Sequence, residues 1–176
     1  MQIHCLEVGT CSDRALGVFL ENNHEAYLDF TIKRADSFEN CRVFAESSKA
    51  SLLLVPHLHS IAGTLSLASG WELVSDKIFT LKNPPIYLAA RTIVAAGDLK
   101  GRTCASLETL APLIDKRLGL DVKPAKNTQH AARQVVELEA DCCVTNQRGI
   151  EFFELSPIVE LNNFTVVWLP FLYRPK

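Results

Sequence analysis

The stretch "LLLVPHLHSIAGTLS", residues 52–66, decides the fold that this sequence predicts. Its first four residues are apolar and run directly into Pro56, as expected of a strand that is buried on both faces. His57, His59 and Ser60 follow, and their side chains carry protons or hydrogen bonds. In α/β proteins, small ligands bind where parallel strands end. The stretch therefore predicts a buried strand with a binding site at its carboxyl end.

Composition and charge fit an ordinary globular chain. Of the 176 residues, 48% are hydrophobic and 22% are charged, and the formal net charge is −2. Such a balance produces no positive field that would attract nucleic acid or an anionic membrane. No apolar run approaches the ~18 residues that a membrane span requires. The opening residues "MQIHCLEVGT" do not resemble a signal peptide, so we expect a cytoplasmic protein.

The cysteines and histidines do not form a recognisable metal motif. All six cysteines are expected to be reduced thiols, and none belongs to a CxxC pair. His57 and His59 are able to bind a metal together with a cysteine, but no third and fourth ligand follow at a familiar distance in sequence. We therefore predict neither a metal nor another cofactor.

Strand-like and helix-like segments alternate along the chain. This alternation predicts an α/β fold with mainly parallel sheets. Strands are predicted over residues 2–8, 25–32, 50–56, 86–91, 121–126, 141–146, 156–161 and 164–173. Helices are predicted over residues 10–22, 37–48, 106–119, 127–140 and 147–155, with Ser106 and Thr128 as caps of the third and fourth.

The stiff segment Asn83-Pro84-Pro85 lies near the middle of the chain, where a connection between two lobes is expected. We predict a first lobe of residues 1–82 plus 165–176 and a second lobe of residues 83–164, with a ligand cleft between them.

Small hydroxyl and amide residues follow the predicted strands or open the predicted helices. Free N–H groups at helix starts favour carboxylate or phosphate, so these residues predict a site for a small polar anion. For any one of them, capping a helix is an alternative role. The candidates are Thr10, Ser12, His57, His59, Ser60, Ser106, Asn127, Thr128, Thr145 and Asn146.

Three segments resemble the catalytic domain of prephenate dehydratases. They are "EVGTCSDRAL" at 7–16, "VPHLHSIAGTLS" at 55–66 and "NTQHAARQVVELEADCCV" at 127–144, and their order and spacing also match. The resemblance implies a two-lobed fold of the type II periplasmic-binding-protein kind. It also implies that two copies of the chain pair.

The late segment "NNFTVVWL", residues 162–169, departs from the dehydratase pattern. Asn163 and Thr165 are kept, but Val166 and Val167 replace an arginine and a phenylalanine. In this respect the chain is more similar to the non-aromatising prephenate decarboxylases of bacilysin- and aeruginosin-type pathways. Short matches to that group are "SFENC" at 37–41, "VPH" at 55–57, Tyr87 with Arg91, "AAR" at 131–133 and "TN" at 145–146.

This second resemblance implies that the enzyme removes CO2 from prephenate and leaves the ring hydroxyl in place. His57, His59 and Thr165 are the catalytic candidates, although either histidine has structural hydrogen bonding as an alternative role. Arg91 is expected to bind a carboxylate if it points into the cleft, and otherwise to face solvent. A dehydratase without its regulatory domain and a non-catalytic anion-binding protein are the alternatives.

Overall fold

The computed structural model describes residues 1–24, 29–162 and 164–175. Contacts within the chain divide it into two compact units. Unit 1 contains residues 1–82 and 165–176, and unit 2 contains residues 83–164. Each unit is built on its own β-sheet, so the polypeptide leaves unit 1 once and returns to it at the end.

Strands and helices are numbered here in chain order. The strands are β1 (Gln2–Leu6), β2 (Thr31–Ala35), β3 (Ser51–Pro56), β4 (Trp71–Leu73), β5 (Phe79–Lys82), β6 (Ile86–Ala90), β7 (Thr103–Ser106), β8 (Asp121–Pro124), β9 (Cys142–Asn146), β10 (Ser156–Asn162) and β11 (Thr165–Tyr173). The helices are α1 (Cys11–Asn23), α2 (Phe38–Glu46), α3 (Ile61–Leu67), α4 (Thr128–Val136) and α5 (Gln147–Phe152).

The sheet of unit 1 has the strand order β2-β1-β3-β11-β4, and β5 also pairs with β11. β1 runs parallel to β2 and β3, whereas β11 runs antiparallel to β3, β4 and β5. Leu52, Leu53, Leu54 and Val55 are fully buried on β3, as the opening stretch predicts. α1 and α2 contact β1 and β3, so the apolar strand lies in the core.

The sheet of unit 2 has the strand order β10-β6-β9-β7-β8. β7, β8 and β9 are mutually parallel along this order, whereas β6 runs antiparallel to both β9 and β10. Both sheets are therefore mixed, and the prediction of mainly parallel strands holds only for three adjacent strands at one side of each, β2-β1-β3 and β9-β7-β8. The late segments return as antiparallel strands, a direction that hydrophobic pattern alone does not encode.

Two predicted elements differ from the structure. No α-helix follows β7: the segment forms two 3-10 turns, Ala111–Leu113 and Lys116–Leu118. Pro112 lies where the helix interior would have been and supplies no N–H for its ladder. The second strand begins only at Thr31, and residues 25–28 of the predicted strand lie outside the described residues.

Candidate functional site

Strand direction brings several candidate residues to one edge of the sheet in unit 1. The loop after β1 and the turn after β3 lie at this edge because the two strands are parallel. β11 is antiparallel to β3, so its first residue, Thr165, lies at the same edge. We call this edge, with residues 7–14, 57–60, Lys82 and Thr165, the carboxyl edge of unit 1. It contains six of the predicted candidates: Thr10, Ser12, His57, His59, Ser60 and Thr165.

Thr10 and Ser12 are buried and hold the loop between β1 and α1 in shape. The Thr10 hydroxyl donates to the Glu7 carbonyl at 2.8 Å and accepts the Asp13 N–H at 3.2 Å, which caps α1. The Ser12 hydroxyl accepts the Leu6 N–H at 3.2 Å. Both side chains therefore have the capping and loop-closing role that was the alternative to ligand contact.

An ion pair that the sequence analysis missed fastens the same loop to β2. Asp13 Oδ1 lies 2.8 Å from Arg34 Nη1, and Asp13 Oδ2 accepts the Gly9 N–H at 3.1 Å. Arg34 also donates to the Leu6 carbonyl at 3.1 Å. Gly9 has a φ of +86°, a conformation that glycine adopts without strain. The loop is consequently held from both of its sides before any ligand arrives.

His57 continues the pairing of β3 with β11 beyond the last strand residue. Its backbone N–H donates to the Val167 carbonyl at 2.9 Å. Its ring atom Nδ1 lies 3.3 Å from both the N–H nitrogen and the carbonyl oxygen of Val167. The side chain is exposed. The imidazole is thus anchored through one nitrogen at the carboxyl edge of unit 1.

His59 is in a different environment. Its ring is half-buried and meets the Phe38 ring edge-on, with centroids 4.8 Å apart. Its Nδ1 accepts the Ile61 N–H at 3.3 Å. Burial lowers the pKa of His59, and the negative charge of Glu39 partly opposes that shift. Because this environment favours the neutral ring, His59 is poorly suited to deliver a proton at neutral pH.

Ser60 immediately precedes α3. It is exposed, and its side chain makes no capping hydrogen bond to that helix.

Position 166, where dehydratases have an arginine, is a core position in this chain. Val166 is 2% exposed and is the register partner of Leu81 on β5. Trp168, two residues further along β11, is the register partner of Phe79. The Phe79 ring lies 6.1 Å from Phe19 of α1, so α1 covers this face of β5 and β11. Thr165 is exposed on the other face. Asn163, the other retained residue of that motif, lies outside the described residues.

Arg14 is a cation at the carboxyl edge of unit 1 that the sequence analysis also missed. It is exposed, and its Nη1 donates to the Lys82 carbonyl at 2.9 Å. Lys82 is the register partner of Thr165, which brings Arg14 to the start of β11. The two hydrogen-bonded residues are 68 positions apart in sequence, so no local pattern indicates their contact.

The candidates of unit 2 gather where β7, β8 and β9 end. Ser106 ends β7, Asn127 and Thr128 begin α4 just after β8, and Thr145 and Asn146 end β9. All five are buried. Parallel pairing of the three strands places these ends at one edge of the sheet, as the sequence predicts.

Hydrogen bonds within unit 2 show what these side chains do. The hydroxyl of Ser106 donates to the Leu107 carbonyl at 2.9 Å, and that of Thr145 donates to the Thr128 carbonyl at 2.9 Å. Asn127, and not Thr128, caps α4, because its Oδ1 accepts the His130 N–H at 2.7 Å. Asn146 Oδ1 accepts the Gly149 N–H at 2.9 Å and caps α5. These residues shape the strand ends and helix starts.

Arg91 does not join the other candidates of unit 2. It follows β6, and β6 is antiparallel to β9, with Ile86 opposite Asn146 and Ala90 opposite Cys142. Arg91 therefore lies five residues, or about 17 Å of strand, from the end of β6 that adjoins Asn146. The prediction that Arg91 binds a carboxylate was conditional on its pointing into the cleft, with a solvent-facing arginine as the alternative, and its side chain is exposed.

Neither a membrane-spanning helix nor a metal cluster is found in the part of the chain that the structure describes. Its helices are too short or too polar to cross a bilayer. Its His, Cys, Asp and Glu side chains do not come together in groups of three or more that could hold an ion.

Comparison with known proteins identifies the fold. No family model matches the chain, and no curated protein matches it in sequence. The periplasmic domain of BvgS from B. pertussis matches 99% of the chain with 18% identity and a TM-score of 0.61, and the chain spans 37% of that structure. The prephenate dehydratase of Staphylococcus aureus subsp. aureus Mu50 matches 100% of the chain with 13% identity and a TM-score of 0.57, and the chain spans 67% of it.

A third similar structure is the GluR0 ligand-binding core in complex with L-glutamate. It matches 100% of the chain with 13% identity and a TM-score of 0.55, and the chain spans 85% of it. At such identities the likeness establishes the fold alone. The chain has the two-lobed α/β fold of periplasmic-binding-protein-like domains, which confirms the predicted fold class. Prephenate dehydratase is one of the proteins that share this fold.

Proposed function

We propose that this chain decarboxylates prephenate without aromatising its ring. The bond between the ring and its carboxylate breaks, CO2 leaves, and the electron pair enters the ring diene. One ring carbon then takes a proton, and the ring hydroxyl stays. The product is a dihydro-4-hydroxyphenylpyruvate. A specialised biosynthetic pathway, such as one for an antibiotic or peptide, is the metabolic setting that the sequence resemblance suggests.

The observation that carries the proposal is that the first residues of β11, Thr165 to Val167, bring no cation to the carboxyl edge of unit 1. A dehydratase must help hydroxide to leave, and the motif arginine of dehydratases is a cation available for that step. Here position 166 is occupied by a buried valine beneath α1, so β11 supplies no cation from this position. Without help for the hydroxyl, loss of CO2 and protonation of the ring become the favoured outcome. The fold shared with a prephenate dehydratase agrees with this choice of substrate.

Arg14 is the proposed receptor for a substrate carboxylate at the carboxyl edge of unit 1. Its Nη1 is occupied by the Lys82 carbonyl, and its other guanidinium nitrogens are available for an oxyanion. A guanidinium matches a carboxylate with paired N–H donors, and we assign the charge of Arg14 to binding. Thr165 is exposed beside it and is proposed to contact the substrate.

In unit 2 the proposed contribution is a polar strand-end surface. Ser106, Asn127, Thr128, Thr145 and Asn146 are buried and shape this surface through their backbone hydrogen bonds. We propose that main-chain N–H groups near these residues bind a carboxylate of the substrate.

The test is to incubate the purified chain with prephenate and identify the product. We expect release of one CO2 for each prephenate consumed and a non-aromatic keto acid whose mass retains the hydroxyl oxygen. Phenylpyruvate as the main product would instead identify a dehydratase. Release of CO2 by itself decides nothing, because both reactions lose it, so the product must be identified by mass spectrometry and NMR.

A non-catalytic carboxylate-binding protein is the second candidate function. The GluR0 core, which has the same fold, is in complex with L-glutamate. The buried candidate side chains form hydrogen bonds to the backbone. This arrangement is compatible with a binding protein as well as with an enzyme. Unchanged prephenate after long incubation, together with calorimetric binding of a dicarboxylate, would favour this function.

A cytoplasmic location and pairing of two copies are part of the proposal. Both rest on the sequence. Cell fractionation and light scattering of the purified chain test them separately from the enzymatic activity.

A further inference from the structure

We infer that His57 delivers the proton to the ring carbon through Nε2, while the main chain of Val167 holds Nδ1 in both charge states of the imidazole. The catalytic part of this inference rests on the proposed function. The hydrogen-bonding part concerns the free protein and is measurable without a substrate.

The anchoring arises where the pairing of β3 and β11 ends. Trp168 and Pro56 are the last register pair, and Val167 would face His57 in the next one. The His57 N–H still reaches the Val167 carbonyl at 2.9 Å. The chain then turns, with the His59 N–H bonded to the Pro56 carbonyl at 2.9 Å. At this position the His57 ring nitrogen, 3.3 Å from the Val167 nitrogen, accepts the Val167 N–H in place of a backbone carbonyl.

Both charge states of the ring have a partner in this arrangement. In the neutral ring, Nδ1 is the acceptor of the Val167 N–H, so the proton resides on Nε2. In the imidazolium, Nδ1–H donates to the Val167 carbonyl, which is also 3.3 Å away. The ring can therefore gain and lose a proton without leaving its place. A general acid requires this behaviour, because a ring that moves on each protonation loses its alignment.

Nε2 is the ring nitrogen that remains available to donate a proton to the substrate. Within the described residues it has no hydrogen-bond partner, and the side chain is exposed. The neighbouring residues of β11, Thr165 to Val167, carry no titratable group, and Thr80 of β5, the register partner of Val167, carries none either. The titratable side chains closest along the chain or in register are His59 in the same turn and Lys82 opposite Thr165.

The proton balance is simple. As CO2 leaves, the electron pair of the broken bond moves into the ring diene, and a ring carbon forms a bond to the proton of Nε2. The imidazole becomes neutral and takes a new proton from water before the next turnover. No oxidant, reductant or cofactor is required.

The competing explanation is that His57 only terminates the pairing of β3 with β11. The variant H57N distinguishes this structural role from proton donation. An asparagine Oδ1 can accept the Val167 N–H, but an amide carries no exchangeable acidic proton near neutral pH. We expect H57N to fold with unchanged thermal stability and to lose about 10²- to 10⁴-fold in kcat. H24N is the control, because His24 is an exposed histidine that follows α1, at the end of that helix away from the carboxyl edge of unit 1. This control should keep the wild-type kcat.

NMR of the ligand-free protein provides the second measurement. We expect imidazole ¹⁵N shifts of the Nε2–H tautomer for neutral His57, and an amide resonance of Val167 that titrates together with the ring. Detection of the Nδ1–H tautomer would overturn the anchoring. So would a Val167 amide resonance that does not shift as the His57 ring titrates. If the wild type decarboxylates prephenate and H57N does so equally fast, the catalytic role is wrong and the proposed function stands. If the wild type does not act on prephenate at all, the proposed function is wrong and the anchoring is still decided by NMR.

Discussion

The carboxylate of Asp13 is shared between Arg34, 2.8 Å away on β2, and the N–H of Gly9, 3.1 Å away in the loop that it shapes. One side chain thus joins the start of α1 to β2 and to the loop that follows β1. The Asp13 and Arg34 side chains are 15% and 34% exposed, so water screens this pair only in part.

The first prediction concerns this ion pair. D13N and R34Q should each lower the free energy of unfolding by about 1–3 kcal/mol, since each leaves a partly buried charge without its partner. Urea unfolding measures the loss. R117Q breaks the exposed Asp115–Arg117 pair, whose arginine is 91% exposed, and should change stability by less than about 0.5 kcal/mol. Equal losses in all three variants would mean that the Asp13–Arg34 pair is no better protected from solvent than the exposed one.

The second prediction concerns pH and His4. His4 is buried on β1, its Nε2 lies 3.2 Å from Ser51 Oγ, and burial together with the charge of Lys33 lowers its pKa. As the pH falls below 6.5, the ordinary pKa of histidine, the unfolded chain therefore takes up a proton on His4 that the folded chain does not bind. Stability should fall as pH falls below that value, by at most about 1.4 kcal/mol per pH unit for this one site.

Variants at both partners test the origin of that slope. H4L removes the titrating ring and should flatten the dependence of unfolding free energy on pH between about 6.5 and 5. S51A removes only the hydrogen bond, so it should lower stability at every pH and keep the slope. If the unfolding free energy of H4L still depends on pH in this range, the acid sensitivity arises from other groups. His59 is one of them, because burial also lowers its pKa.

The third prediction compares two helical glycines. A Cβ at Gly149 of α5 would collide with Oγ1 of Thr145, whereas a Cβ at Gly17 of α1 would meet nothing within 4 Å. G149A should lose about 1–3 kcal/mol of stability, and G17A should gain up to about 1 kcal/mol. If the collision is the cause, adding T145A to G149A should recover part of the loss. A stable G149A would show that α5 can move away from β9 at little cost.

The fourth prediction concerns position 166. V166R places the dehydratase arginine on the face that α1 covers, so it should cost more than about 3 kcal/mol of stability. It should not yield phenylpyruvate, because the charge enters a core position and not the carboxyl edge of unit 1. V166M, which is similarly long and uncharged, should be far milder. A folded V166R that aromatises prephenate would contradict both the burial argument and the proposed basis of the reaction outcome.

The fifth prediction concerns Arg14. R14Q should weaken binding of the substrate about 10- to 100-fold and leave thermal stability almost unchanged, since the guanidinium is exposed and loses one hydrogen bond. R14K keeps the positive charge but lacks the planar set of N–H donors of arginine. Its affinity for the substrate should therefore lie between those of R14Q and the wild type. Calorimetry with prephenate or a stable dicarboxylate measures the affinity. R117Q serves as the control for loss of one surface charge and should bind normally.

Features with a local cause could be predicted from the sequence, and features that depend on strand direction could not. Thr10 and Asp13 gave the start of α1, because a capping hydrogen bond spans three residues. The helix predicted after Ser106 does not form, because Pro112 lies in its interior and has no N–H for the helical ladder. The resemblance that suggested Arg91 carries no information on strand direction, and β6 runs antiparallel to β9, so Arg91 lies away from Asn146.

The sequence by itself determined that β3 is buried, that α1 and α4 begin at polar caps, and that small hydroxyl and amide residues follow the strands, because hydrophobic burial and capping act over a few neighbouring residues. Only the tertiary structure decided that Val166 faces the core, that Arg14 reaches Lys82, and that the His57 ring takes the place of a backbone acceptor for Val167. Each of these depends on β11 returning antiparallel beside β3 and β5, a pairing between residues about 80 to 120 positions apart.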